Sequence, residues 1–155
     1  MNNKFNPDSI KYVDLGLPSV KLWATENGKD GEKEYFTYDE AKEFFGLYLP
    51  SAVDVAELYE YCRWEWDDIE KGYMVTGPND NSIFLKSFGY RAENKPLINR
   101  NNGYYWTSCE NKRNPARAHN LSFDNDYIYP LDCHHWSLGF SVRPVRESFK
   151  SVPHL

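Results

Sequence analysis

Cysteine is scarce in this chain and forms no pattern. Cys62, Cys109 and Cys133 are 3 in 155 residues, an odd count with no CxxC spacing, which argues against a disulfide framework or a structural zinc site. A single Cys109–Cys133 bridge stays open. Long apolar runs are missing too: no segment approaches the roughly 18 apolar residues of a membrane span. The opening MNNKFNPDSIKYVDLG has no apolar stretch of a secretory leader. Neither membrane insertion nor export by a signal peptide of its own is therefore expected. Basic charge is short as well, with 18 Lys+Arg against 23 Asp+Glu and a net charge of −5. A binder of nucleic-acid backbone needs the opposite balance to displace counterions. Last, no GxSxG, HExxH or glycine-rich phosphate loop occurs, so no such motif names a reaction.

Aromatic residues are what the chain has in excess. Twelve Tyr, nine Phe and five Trp make up 17% of it, and Tyr and Trp can pack on one side while hydrogen-bonding on the other. The length fits one domain that buries roughly 68–70% of its unfolded surface. Charge is uneven along it. Residues 1–99 carry 11 Lys+Arg against 18 Asp+Glu, whereas residues 100–155 carry 7 against 5 and hold all four His.

Residues 1–10 read as a loose polar segment, 11–147 as the domain and 148–155 as a tail. YVDLGLPSVKLWAT reads as two short extended pieces around a Gly-Leu-Pro turn. YFTYDEAKEFFG reads as a short helix opened by Thr37 or Asp39 and closed by Gly46. LPSAVDVAELYEYC is the clearest helix: Ser51 caps it with Asp54 three residues on, and Val55, Leu58, Tyr59 and Cys62 fall on one face. GYMVT and NSIFLK form a hairpin across Gly-Pro-Asn-Asp. YYWTS, RAHNLSF and GFSVRPV read as strands, while CENKRNPA and DNDYIYPLDCHHWSL between them show no helical period and read as long loops. The expected class is α+β, two helices packed on a small twisted antiparallel sheet with long C-terminal loops.

Taken in order, YVDLGLPSVKLWAT, LPSAVDVAELYEYCRWEW, GYMVTGPNDNSIFL, NGYYWTS and GFSVRPV resemble successive blocks of the Bacteroidetes major paralogous domain over roughly residues 12–146. The resemblance implies a C-type-lectin-like fold, related to that of formylglycine-generating enzymes. The terminal W-S…F-S-V-R-P-V segment is also similar to the variable proteins of phage and bacterial diversity-generating retroelements. In those systems template adenines are randomised, mostly at Asn codons, which would make 103–146 a variable region. The residue types that such randomisation yields crowd into Asn111, Arg113, Asn114, Arg117, His119, Ser122, Asp124, Asn125, Asp126, Tyr127, Tyr129, Leu131, Asp132, Cys133, His134, His135 and Ser137. Lys112 and Trp136 are not reachable from an Asn codon by adenine changes alone. Val20 stands where the family's usual pattern has Gly.

The resemblance implies a receptor-recognition protein whose partner is a protein or glycan on a bacterial surface. It would sit on a virion, or in the cytoplasm before assembly, and could oligomerise. The chemistry of the last third agrees, since rigid aromatic area and adaptable small polar groups are the mixture used by antibody loops. Tyr127, Tyr129 and His134 are expected outside, and Ile128 and Trp136 turned inward by strand alternation. Trp23, Trp64, Trp66, Trp106, Phe84, Phe123 and Phe140 are expected to form the frame.

Other chemistries fare less well. The NPA of 114–116 and the DND of 124–126 only faintly echo a calcium-lectin ligand set. Asp132, Cys133, His134 and His135 are potential metal donors, yet neighbours on an extended chain point to opposite faces. A formylglycine-generating activity would need Cys109 and Cys133 as a reactive pair. No cofactor is expected, and a non-variable structural or adhesion module of a bacterial surface assembly is the other alternative.

Overall fold

The computed structural model describes residues 3–148; of the expected tail, 149–155 lies outside the described residues. The chain is an α+β protein with two helices and three small antiparallel sheets of three strands each. Strands β1 (Tyr12–Asp14), β2 (Lys21–Ala24) and β9 (Val145–Glu147) form the first sheet and join the two ends of the chain. Strands β3 (Arg63–Asp67), β4 (Gly72–Thr76) and β5 (Ser82–Lys86) form a meander, and β6 (Gly103–Glu110), β7 (Arg117–Phe123) and β8 (Ile128–His135) form a second one.

Both helices begin at reciprocal capping boxes. Helix α1 (Tyr38–Phe45) starts at Thr37, whose hydroxyl accepts the Glu40 N–H while the Glu40 carboxylate accepts the Thr37 N–H. Helix α2 (Ala52–Tyr61) repeats the arrangement with Ser51 and Asp54, satisfying amide groups that the first helical turn leaves without partners. Asp54 is buried and is met by Lys21 Nζ at 3.4 Å, which fixes α2 against β2. On α2, Val55 and Leu58 are buried and Cys62 packs against them, but Tyr59 is exposed and lies edge-on to Trp64 instead.

The β6–β7 pair is the middle layer. Tyr105, Leu121 and Phe123 belong to one core with Trp23, Val55, Leu58 and Val75; Tyr104, Trp106 and Ala118 point to the other face, into a second core with Phe36, Phe45 and Phe140. Strand alternation thus turns one pair of strands into the wall shared by two cores. Gly103 pairs with Phe123, and a Cβ there would stand 2.1 Å from the Phe123 ring, so only glycine admits that contact. Trp106 Nε1 donates to the Phe36 carbonyl at 2.7 Å, and its ring stacks on Phe140 at 4.2 Å.

Four expectations need correction. The N-terminal segment is tied down from residue 4 onward: Phe5 is buried among Phe44, Phe45 and Tyr48, and its N–H bonds Phe44. A single large ring accounts for this despite the polar neighbours. The single expected sheet is three sheets, because WEWD forms β3, the strand beside the anticipated hairpin. The supposed long loop over 124–138 is mostly strand: β8 pairs along β7, with a register shift between Asn120 and Ser122 that hid its alternation. GFSVRPV, in contrast, is no continuous strand: Gly139, Phe140 and Ser141 make isolated bridges, and only Val145 belongs to a strand, β9.

Candidate functional site

The residues expected to form a recognition face are carried by the β7–β8 hairpin and the turn that precedes β7. None of the fifteen, Asn111, Arg113, Asn114, Arg117, His119, Asp124, Asn125, Asp126, Tyr127, Tyr129, Leu131, Asp132, His134, His135 and Ser137, is buried. Ser122, of the same composition class, is buried. The fifteen differ in what holds them.

One subset builds the backbone. Asn111 Oδ1 accepts the N–H groups of Arg113 and Asn114, and Asn114 Oδ1 accepts that of Ala116, which folds the turn before β7. Asp124 Oδ1 accepts the N–H groups of Asp126 and Tyr127 at 2.8 Å each, making the hairpin tip. These are the Asx turns that short polar side chains favour. Asp132 accepts the Ser122 hydroxyl and its neighbour Cys133's N–H. Arg117 donates from Nη2 to the Cys133 carbonyl at 2.6 Å and from Nε toward the sulfur at 3.4 Å.

His134 belongs to this subset and not, as expected, to the exposed one. It is half-buried, its ring edge-on to Tyr104 and Phe140. Its Nδ1 lies 2.8 Å from Oδ1 of the fully buried Asn120, whose Nδ2 donates to the Leu121 carbonyl. With the Asn120 amide so oriented, its oxygen accepts and His134 carries the proton on Nδ1. Burial pushes the His134 pKa below the usual histidine range, Asp132 opposing and Arg117 adding to the fall. Asn120 is a supporting residue the sequence did not single out; a buried amide in a strand has no local signature.

The other subset is free of the frame. Among the described residues no hydrogen bond engages the side chains of Arg113, Asn125, Asp126, Tyr127 or Tyr129. Tyr127, Tyr129 and Leu131 are 63%, 50% and 49% exposed, and the two tyrosine rings lie 6.4 Å apart. Ile128 packs partly onto the first core, as alternation requires. Trp136 does not turn inward: it is 40% exposed, stacked on His135, whose Nδ1 lies 2.7 Å from the Ser137 hydroxyl. It follows β8, where the alternation that would have buried it has ended.

Trp136 separates two clefts. One, of about 640 Å³, is bounded by Tyr35, Arg91 and Glu93; the other, of about 450 Å³, by Tyr38, Asn111 and Arg117. The Trp136 backbone is held on both sides, its N–H by Ala116 and its carbonyl by Tyr38, at 3.0 and 2.9 Å.

β8 is an edge strand whose backbone is blunted. Pro130 has no N–H, and the Cys133 N–H and carbonyl are taken by Asp132 and Arg117. Such edges resist pairing with another strand, which leaves recognition to side chains. Cys133 pairs with His119 on β7, and Cys109 lies on β6 at β7's other side. Two strand spacings of about 4.8 Å exceed the ~7 Å limit for bridging, and all three cysteines are free. His119 Nδ1 meets the Asp132 carbonyl, not its carboxylate. Among the described residues no group of three or more His, Cys, Asp or Glu side chains is placed to hold a metal ion, and no helix is long and apolar enough to cross a membrane.

Comparison of the chain with protein-family models, curated proteins and solved structures gives no match.

Proposed function

We propose that this chain is a ligand-binding protein with a C-type-lectin-like frame, resembling the variable proteins of diversity-generating retroelements, and that residues within 110–137 meet a protein or glycan on a bacterial surface. The observation that carries the reading is the contrast across one hairpin. Tyr127, Tyr129 and Leu131 face solvent, while Leu121 and Phe123 on the neighbouring strand are buried. Exposed substitutions away from special features usually alter stability by no more than about 0.5 kcal/mol, so such positions can change identity while the frame persists. Tyr beside Asn, Asp and Arg supplies rigid area and adaptable polar contacts. The protein acts on a phage virion, as part of a receptor-binding apparatus, without metal or cofactor. The formylglycine-generating alternative is disfavoured because β7 stands between the two cysteines it would use.

Sequencing around the gene tests this reading. The expected result is a reverse transcriptase and a second repeat matching the codons for about 103–146 except at adenines, in keeping with exposed positions tolerating change. A locus with neither would overturn the retroelement reading and leave a fixed binding module.

A further inference from the structure

We propose that the small cleft between Trp66 and Asn125, at the tip of the β7–β8 hairpin, takes one neutral pyranose ring of a glycan without a metal ion. The inference rests on the recognition reading and narrows it, by choosing glycan over protein as what the hairpin tip meets.

Three segments distant in sequence meet there. The cleft, of about 190 Å³, is bounded by Trp66, Asp68 and Lys71 at the β3–β4 turn, by Asn101 and Asn102 before β6, and by Asn125 at the hairpin tip. Tyr73 on β4 ties the first and last together. Its hydroxyl donates to the Asp124 carbonyl at 2.7 Å, and its ring meets the Trp66 indole in an edge arrangement, centroids 5.1 Å apart. The indole is held further by its Nε1, which donates to Asp68 at 3.4 Å, and by packing on the first core. Asp67 Oδ1 accepts the Ile69 and Glu70 N–H groups, and the Asn102 carbonyl accepts the Gly89 N–H at 2.8 Å. The walls therefore stand before a ligand arrives, which lowers the ordering cost of binding.

What these walls leave unspent is amide. Among the described residues no hydrogen bond engages the side chains of Asn101 or Asn125, whereas Asn102 beside them gives its Nδ2 to the Tyr104 hydroxyl. Each amide offers donors and an acceptor on one planar group, and each sugar hydroxyl both donates and accepts, so the two free amides match a run of neighbouring hydroxyls. The cleft's two charges answer each other, Lys71 Nζ meeting Asp68 at 3.0 Å, and no net charge selects an ion. An apolar guest would strip water from the amides and give them no partner. The indole supplies apolar area for the C–H side of a ring. The volume lies below the roughly 300–1,000 Å³ of drug-sized sites, so one ring enters rather than a length of peptide.

The test is NMR titration of the whole protein with methyl α-mannoside, methyl β-galactoside and methyl β-N-acetylglucosaminide, following the Trp66 indole N–H, which the spectrum of Trp66→Phe assigns. Calorimetry, which needs no assignment, gives the affinity. Cyclohexanol and the blocked tripeptide acetyl-Gly-Asn-Gly-amide are run in parallel. The expected result is a saturable shift with at least one glycoside, at a Kd of about 1–10 mM for so small a ligand. It is unchanged by EDTA, insensitive to salt because no net charge is used, and weakened about tenfold by Asn101→Ala/Asn125→Ala. Both asparagines are exposed, and an unchanged thermal midpoint would show that variant folded. No saturable response to any glycoside, an equal response to cyclohexanol or to the tripeptide, loss of binding in EDTA, or full binding by the double variant would overturn the proposal. Failure to bind glycosides beside an intact retroelement locus contradicts this inference alone, and glycoside binding beside a locus with neither element contradicts only the retroelement reading.

Discussion

The Arg143 guanidinium donates from Nε to Asn27 Oδ1 at 2.8 Å, with both side chains buried. Its other bonds go to the Ala24 carbonyl at 3.2 Å and the Phe84 carbonyl at 2.7 Å. Among the described residues no salt bridge engages it, and burial lowers its pKa, Tyr105 and Glu26 opposing. A cation held by neutral acceptors alone pins β2, the following loop and the middle of β5 to the segment before β9.

Arg143→Leu is accordingly expected to destabilise the fold well beyond its change in packing. It leaves Asn27 Oδ1 and two carbonyls without their donor, at ~1–3 kcal/mol for each buried polar group. Urea unfolding should show a loss of ~3 kcal/mol or more; a loss under ~1 kcal/mol would show that water replaces the guanidinium.

Val20 has a φ of +57°, in the left-handed region, at the close of a turn where its N–H bonds the Leu17 carbonyl. The preceding Ser19 gives both its N–H and its hydroxyl to Glu57 on α2, which holds the turn in place. A β-branched residue pays ~1–2 kcal/mol for that backbone conformation, and glycine returns ~0.5–1 kcal/mol through its freer unfolded chain. With Val20 42% exposed, little packing is lost. Val20→Gly should raise stability by about 0.5–1 kcal/mol in chemical unfolding; a decrease would mean that the valine side chain contributes packing that its exposure hides.

His134 gives the protein a pH dependence of definite sign. Its folded pKa lies below the ordinary value, chiefly through burial, so the unfolded chain takes up the proton first as pH falls. The stabilisation is complete above about pH 6.5 and is lost as pH falls through the lowered folded value. His134→Gln should flatten the dependence of the urea midpoint between about pH 7.5 and 5.5. An unchanged slope would assign the effect to other groups.

Local chemistry made much of the frame readable. Both capping boxes, the Gly-Pro-Asn-Asp hairpin and the burial of Trp23, Trp106, Phe123 and Phe140 rest on signals a few residues long. What failed depends on partners distant in sequence. Phe5 finds its ring cluster on α1, 39 residues away. The β8 alternation is broken by a register shift that only pairing with β7 defines. Within the site, exposure of Tyr127 and Tyr129 followed from composition, whereas the anchoring of His134 needed Asn120 on the adjacent strand. The two clefts beside Trp136 bring together segments near 35, 91, 111 and 136, and no local pattern encodes such a meeting.

The central claim is that a ring-filled frame carries a face whose residues can change without unfolding it. Its most direct test is urea unfolding of Tyr127→Ala/Tyr129→Ala/Leu131→Ala beside Trp106→Ala. Three exposed truncations should together alter stability by no more than about 1.5 kcal/mol, while the buried Trp106 should lose ~3–5 kcal/mol. A loss of ~3 kcal/mol or more from the triple variant would contradict the account, because those side chains would then belong to the frame.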